Sequence, residues 1–139
     1  MSRAKILVIE DSLSDVFLLR RTLTMQNKEF ELEILEDGES ALRYLRQIRE
    51  NVHDSHPCVI LIDLHLPKHD GLAVLKAIHD NPVLGKVPVI VTTNLASPRE
   101  KDVLAGLGVP YRTKPASLSQ YTEFVEEILE MCERPRLAA

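Results

Sequence analysis

The chain has 139 residues and no stretch near the roughly 20 consecutive apolar residues that a bilayer-crossing helix needs. Its start, Met1-Ser2-Arg3-Ala4-Lys5, leads into an apolar stretch too short for the core of a signal peptide. Neither sign of charge dominates, since 17 Lys and Arg stand against 21 Asp and Glu for a net −4 with His neutral. A nucleic-acid surface needs clustered cations, so nucleic acid is disfavoured as a ligand. Cysteine is scarce: Cys58 and Cys132 are far apart, each among residues that read as core. The expectation is two reduced thiols in a cytoplasmic protein, with Cys58 inert at the start of a buried strand. Internal repeats and low-complexity segments are lacking too. Hydrophobic residues at 45% and charged residues at 27% describe a globular chain, not a disordered one. A single domain over residues 1–139 is expected, with its core at about 4–133 and too little chain beyond for an output domain.

What is present is an alternation. Lys5 to Glu10 (KILVIE) is a compact apolar run that ends in acid, the pattern of a strand buried on both faces. Ser12 and Ser14 are candidate caps for a helix carrying Val16, Phe17, Leu19 and Leu23. Phe30 to Glu36 (FELEILE) alternates apolar and acidic residues and reads as a strand near a sheet edge, followed by a helix with Ala41, Leu42, Leu45 and Ile48. After a polar loop from Asn51 to Pro57, Cys58 to Asp63 (CVILID) repeats the first pattern. A third helix ends at Asn81-Pro82, and Val87 to Thr92 is another buried strand. Ser97-Pro98-Arg99-Glu100 is a capping box opening a short fourth helix that stops at Gly106 and Gly108. Val109 to Thr113 is the fifth strand, and Ser117 to Gln120 opens a last helix running to about Cys132. Five strand–helix units predict an α/β fold: a doubly wound, five-stranded parallel sheet covered on both faces.

Ligands of such sheets bind beyond the carboxyl ends of the strands. There the sequence delivers Glu10 and Asp11, then Asp63, then Thr93 and Asn94, then Lys114. Three carboxylates brought together against one ammonium cannot all stay ionised unless a cation offsets them. An all-oxygen ligand set suits Mg²⁺, with Mn²⁺ as a substitute. A divalent ion beside a carboxylate, a hydroxyl and an ammonium is equipment for receiving a phosphoryl group, with Asp63 as nucleophile.

The series Ile9-Glu10-Asp11, Leu61-Ile62-Asp63, Leu66-Pro67 with Asp70-Gly71, Thr93, Tyr111 and Lys114-Pro115 resembles the receiver domain of two-component response regulators over roughly residues 4 to 133. The resemblance implies a flavodoxin-like sheet of order 2-1-3-4-5. It implies that Asp63 accepts phosphate from a histidine kinase phosphohistidine. It also implies Mg²⁺ held by Asp11 directly, by Glu10 mainly through water, by Asp63 and by the backbone carbonyl of His65. Thr93 and Lys114 would contact the phosphoryl oxygens, and Tyr111 would swing inward behind the threonine. That motion would repack the face built by the fourth helix, fifth strand and fifth helix, and with it partner binding or dimerisation. A cis Lys114-Pro115 bond is expected on the same ground. Asn94 departs from the small residue usual after the switch threonine, and His65 and Leu95 occupy positions that tune dephosphorylation.

The implied protein is a stand-alone response regulator, a binding switch and not an enzyme, acting through an output or phosphotransfer partner. The Asp63-Leu-His-Leu-Pro67 phrase and the Thr92-Thr93 pair look like single-domain receivers that serve phytochrome-type histidine kinases. The rival reading is a Mg²⁺-dependent phosphatase with an aspartyl nucleophile, similar to the haloacid dehalogenase family. That chemistry wants a second carboxylate two residues on, where His65 stands. A flavin or nucleotide binder on the same fold would meet repulsion from Glu10 and Asp11. His65 and His69 flank Pro67 without an evident third ligand, so zinc is set aside; His53, His56 and His79 read as surface residues. The last helix carries more apolar residues than one stripe needs, from Leu118 through Cys132. Either that face makes a second contact, as a homodimer or a docking surface, or the helix packs more deeply in its own core.

Overall fold

A computed structural model of the chain describes residues 4–50, 56–67, 70–94 and 96–133. The elements run β1 (Ala4–Ile9), α1 (Leu13–Met25), β2 (Phe30–Leu35), α2 (Gly38–Glu50), β3 (Val59–Asp63), α3 (Gly71–Asp80), a 3-10 turn (Leu84–Lys86), β4 (Val89–Thr92), α4 (Pro98–Leu107), β5 (Tyr111–Arg112) and α5 (Leu118–Glu133). All strand pairs are parallel, and the sheet order is β2-β1-β3-β4-β5. No helix among the described residues is long and apolar enough to cross a membrane.

The two-residue period of a strand divides the core into two layers. Leu7, Ile9, Ile60, Ile62 and Val91 point to one side and pack with Ala41, Leu45, Leu72, Leu75, Ile78 and Leu104 from α2, α3 and α4. Ile6, Val8, Val59, Leu61 and Ile90 point to the other and pack with Val16, Leu19 and Leu23 of α1 and Phe124, Val125, Ile128 and Leu129 of α5. The apolar surplus of the last helix is thereby spent inside the chain, where α5 buries Tyr121, Phe124, Val125, Ile128 and Leu129 and leaves Leu118 exposed.

The helix ends follow the side-chain chemistry. Ser12 Oγ accepts from the Asp15 N–H at 3.3 Å to cap α1, and Asp70 Oδ1 accepts from the Leu72 N–H at 3.1 Å to cap α3. Ser97 and Glu100 form the reciprocal capping box on α4, and Gly108 closes that helix in the left-handed region at φ 67°. At α5 the Gln120 N–H reaches Ser117 Oγ, but the Gln120 amide oxygen accepts from Ala116 instead of Ser117. Gly71 opens α3 where a Cβ would collide with the Leu64 carbonyl oxygen, so a side-chain-free residue is what lets α3 start hard against the end of β3.

Several expectations are corrected. Cys58 and Cys132 are not thiols but a disulfide, with their Cα atoms 4.9 Å apart. Cys58, just before β3, and Cys132, in the last turn of α5, both pack against the core layer shared with α1 and α5, which brings the two within bridging distance. The Lys114–Pro115 bond is trans, since no peptide bond among the described residues is cis. Trans is the form favoured by about 0.5–1 kcal/mol in X–Pro bonds, and it already delivers the Lys114 ammonium to the carboxylates. The fourth strand starts at Val89, because Val87 ends the 3-10 turn, and the fifth is only Tyr111–Arg112, an edge strand entered through Pro110. His56 is half-buried with its Nε2 enclosed. His53, His69 and Leu95 lie outside the described residues.

Candidate functional site

Strand parity decides where the strand-end acids point. Glu10 continues the Ile6–Val8 side of β1 and Asp63 continues the Val59–Leu61 side of β3, so both face the layer shared with α1 and α5. β1 and β3 are hydrogen-bonded neighbours, with Ile9 opposite Ile62. Glu10, Asp11 and Asp63 accordingly bring one ligand oxygen each within 4.8 Å of one another. Asp63 is 4% exposed and Glu10 8%, whereas Asp11 stands open to solvent.

Lys114 crosses from the β5 side to meet them. Its ammonium donates to Glu10 Oε1, Asp15 Oδ2 and Asp63 Oδ2, each at 3.0 Å. Asp15 was not among the residues singled out from the sequence. It sits in the first turn of α1, and its other oxygen accepts from the Tyr121 hydroxyl at 3.1 Å. The available signal was an acid three residues after the Ser12 cap, which reads as ordinary helix-dipole complementarity. A small cavity of about 40 Å³ between the sheet, α1 and α5 is lined by Glu10, Asp15, Asp63, Thr92, Lys114 and Tyr121, together with apolar neighbours.

The electrostatics follow from burial and from one cation among several acids. Burial is the largest influence on Glu10; with the charge of Asp63 it outweighs Lys114 and pushes the carboxyl up to about 7. For Asp15 burial acts in the same upward direction, but the Lys114 ammonium and the Tyr121 hydroxyl overcome it and hold the carboxyl below its usual range. Burial pulls on Lys114 in the downward direction, yet its hydrogen bonds to three carboxylates raise it. Burial and the adjacent Asp15 charge push the Tyr121 hydroxyl up to about 12.

The remaining predicted residues surround this centre. The His65 N–H donates to Asp63 Oδ1 at 2.9 Å, and its exposed imidazole lies 3.4 Å from Glu100 at the start of α4. Thr93 is 3% exposed and its Oγ1 is buried without a hydrogen-bond partner among the described residues, while its N–H donates to the Arg112 carbonyl at 3.0 Å. Asn94 is exposed. Tyr111 is 39% exposed on β5, so its ring lies outward from the core. Arg112 beside it forks onto both carboxylate oxygens of Glu127 at 2.7 and 3.2 Å, tying β5 to α5.

The donor set fits a hard divalent cation. Among the described residues, three carboxylates with oxygens close together and a single neighbouring ammonium leave an excess of negative charge, and oxygen-only ligands select ions such as Mg²⁺ or Mn²⁺ over softer metals. The orphaned Thr93 hydroxyl is a spare hydrogen-bond donor, a group that native structures rarely bury without a use.

Known proteins are similar to this chain in sequence and in fold. The chain is 39% identical over 126 residues to Response regulator Rcp1 of Synechocystis sp., covering 88% of this chain and 84% of that protein. Its structure is similar to Mn²⁺-bound Rcp1, with a TM-score of 0.80 and 36% identity over 98% of this chain and 99% of the other. It is similar also to the phosphorylated cyanobacterial phytochrome response regulator RcpA, with a TM-score of 0.79 and 36% identity over 93% of each chain. The response regulator receiver domain matches residues 6–126, and with the sheet order and the acidic cluster already in view, the chain belongs to the family of response regulator receiver domains.

Proposed function

We propose that Asp63 is a phosphoacceptor whose modification by a histidine kinase switches this chain between two binding states. The observation that carries this reading is the convergence at Asp63: a buried carboxylate with two further acids close by and the Lys114 ammonium at 3.0 Å. A carboxylate oxygen of Asp63 attacks phosphorus, the P–N bond of the phosphohistidine breaks, and the imidazole leaves with a proton in place of the phosphoryl group. Glu10, Asp11, Asp63 and the His65 carbonyl would hold Mg²⁺, which when bound supplies positive charge against the phosphoryl oxygens. Lys114 offsets charge on the same oxygens, and Thr93 donates the hydroxyl that is otherwise unpartnered. Asn94, next along the chain, edges the site. Satisfying Thr93 draws it toward Asp63 and leaves room for Tyr111 behind it, repacking the face of α4, β5 and α5. That face then binds an output partner, a phosphotransfer protein or a second copy of the chain.

The likeness to Rcp1 and RcpA supports a phytochrome-type histidine kinase as donor, and on that reading the chain is a signalling protein and not a turnover enzyme. A phosphatase is less favoured. The position two residues past Asp63 holds His65, whose side chain lies near Glu100.

Incubation with acetyl phosphate and Mg²⁺ tests the reading by mass. One phosphoryl group should appear on the native chain and none on Asp63→Asn, while Lys114→Ala should keep partial labelling. Labelling that survives Asp63→Asn overturns it.

A further inference from the structure

Lys114 holds three carboxylates, and only two of them belong to the acidic cluster. Asp15 is the third. Its place is set from three directions: its N–H is bound by the Ser12 hydroxyl, one oxygen accepts from Tyr121, and the other faces the ammonium. Tyr121 is itself buried in α5 at 5% exposure, so it cannot follow Asp15 elsewhere.

Charge distinguishes Asp15 from its two companions. A divalent ion held by Glu10, Asp11 and Asp63 offsets their negative charge, and the pull of Glu10 and Asp63 on the ammonium falls with it. Asp15 lies outside that cluster and keeps its full charge. We propose that Asp15, fixed by the Tyr121 hydroxyl, is the positioning residue for Lys114, holding the ammonium beside Asp63 once the other carboxylates are committed to the cation. The proposal rests on Asp63 as acceptor and Lys114 as its phosphoryl contact. A flexible lysine stem has many rotamers, and anchoring its tip in advance removes the ordering cost from the phosphorylation step. The anchor also gives the acceptor a polar connection to α5 that bypasses Thr93 and Tyr111.

The experiment measures the rate of labelling by acetyl phosphate at saturating Mg²⁺. Asp15→Asn, which removes the charge and little else, should slow it about ten-fold, the scale of a hydrogen bond to a charged group. Tyr121→Phe should slow it in the same direction by less, and Asp15→Glu should recover part of the loss. In the Lys114→Ala background, Asp15→Asn should change nothing further, because a positioning residue has no effect without the group it positions. An unchanged rate in Asp15→Asn overturns the proposal, as does an equal loss with and without Lys114. Failure of the native chain to label at Asp63 overturns the acceptor reading first, and this one with it.

Discussion

The Lys114 ammonium lies 3.0 Å from Asp63 although β4 separates the strands that deliver them. The contact spans the sheet's carboxyl edge, and it makes a single side chain the local counter-charge for acids coming from β1, β3 and α1. That balance is incomplete, so the site should respond to protons and cations.

Cation affinity should depend on pH through Glu10. Its carboxyl is pushed up to about 7 by burial foremost and by Asp63, so in the cation-free fold it keeps its proton above the unfolded value of 4.5. Stability from this group is therefore complete below about pH 4.5 and is lost as pH rises through 7. A bound ion needs the carboxylate. Mn²⁺ affinity should climb by up to about ten-fold per pH unit below 7 and level off above it. Calorimetric titration across that range checks this; Glu10→Gln should flatten the slope, and a flat profile in the native chain refutes it.

Thr93→Val should stabilise the unphosphorylated protein and weaken its switched state. The buried hydroxyl has no partner among the described residues, so exchanging it for a methyl of similar size should add about 1 kcal/mol. The same change removes the donor proposed above for the phosphoryl group. Thermal unfolding with and without beryllofluoride should show a higher midpoint without it and a smaller shift with it. Equal shifts in both proteins would remove Thr93 from the switch.

Reduction of the disulfide should cost stability. Cys58 and Cys132 are 74 positions apart, and closing a loop of that length restrains the unfolded chain by about 4 kcal/mol in the chain-entropy description. Dithiothreitol should lower the unfolding midpoint, and the Cys58→Ser/Cys132→Ser variant should ignore it. Two thiols alkylated without prior reduction would show that the bond does not form.

Two glycines should respond oppositely to alanine. Gly71→Ala drives a Cβ into the Leu64 carbonyl oxygen and should cost at least about 2 kcal/mol. Gly106→Ala meets nothing within 4 Å inside α4 and should gain about 0.5–1 kcal/mol from helix propensity. Urea unfolding of both variants reads the signs directly.

The strand-end acids were legible because a buried apolar strand ending in a carboxylate is an unusual local pattern, and it occurs at both Glu10 and Asp63. The alternation of elements, the caps at Ser12 and Ser97, and the edge character of Phe30 to Glu36 were legible for the same reason: each is written within a few residues. What escaped is what depends on distant packing. Asp15 looks like any first-turn acid until α5 lays Tyr121 against it. The disulfide joins segments whose proximity exists only after the crossovers have closed, and no local pattern reports it. The trans Lys114–Pro115 bond lies in a small energy difference that the sequence does not carry, and the shortened β5 reflects an edge position with one neighbour.

α4 is held to the rest of the fold by very little. Leu104 is its one fully enclosed side chain, with Val103 and Leu107 in partial contact. Both of its ends are capped from within, by the Ser97–Glu100 pair and by the Gly108 N–H on the Ala105 and Leu104 carbonyls. Such a helix can slide or tilt as an intact rod, because displacing it breaks one hydrophobic seat and leaves its internal ladder whole. A modest electrostatic event at the neighbouring strand ends therefore has a mechanically inexpensive element to move.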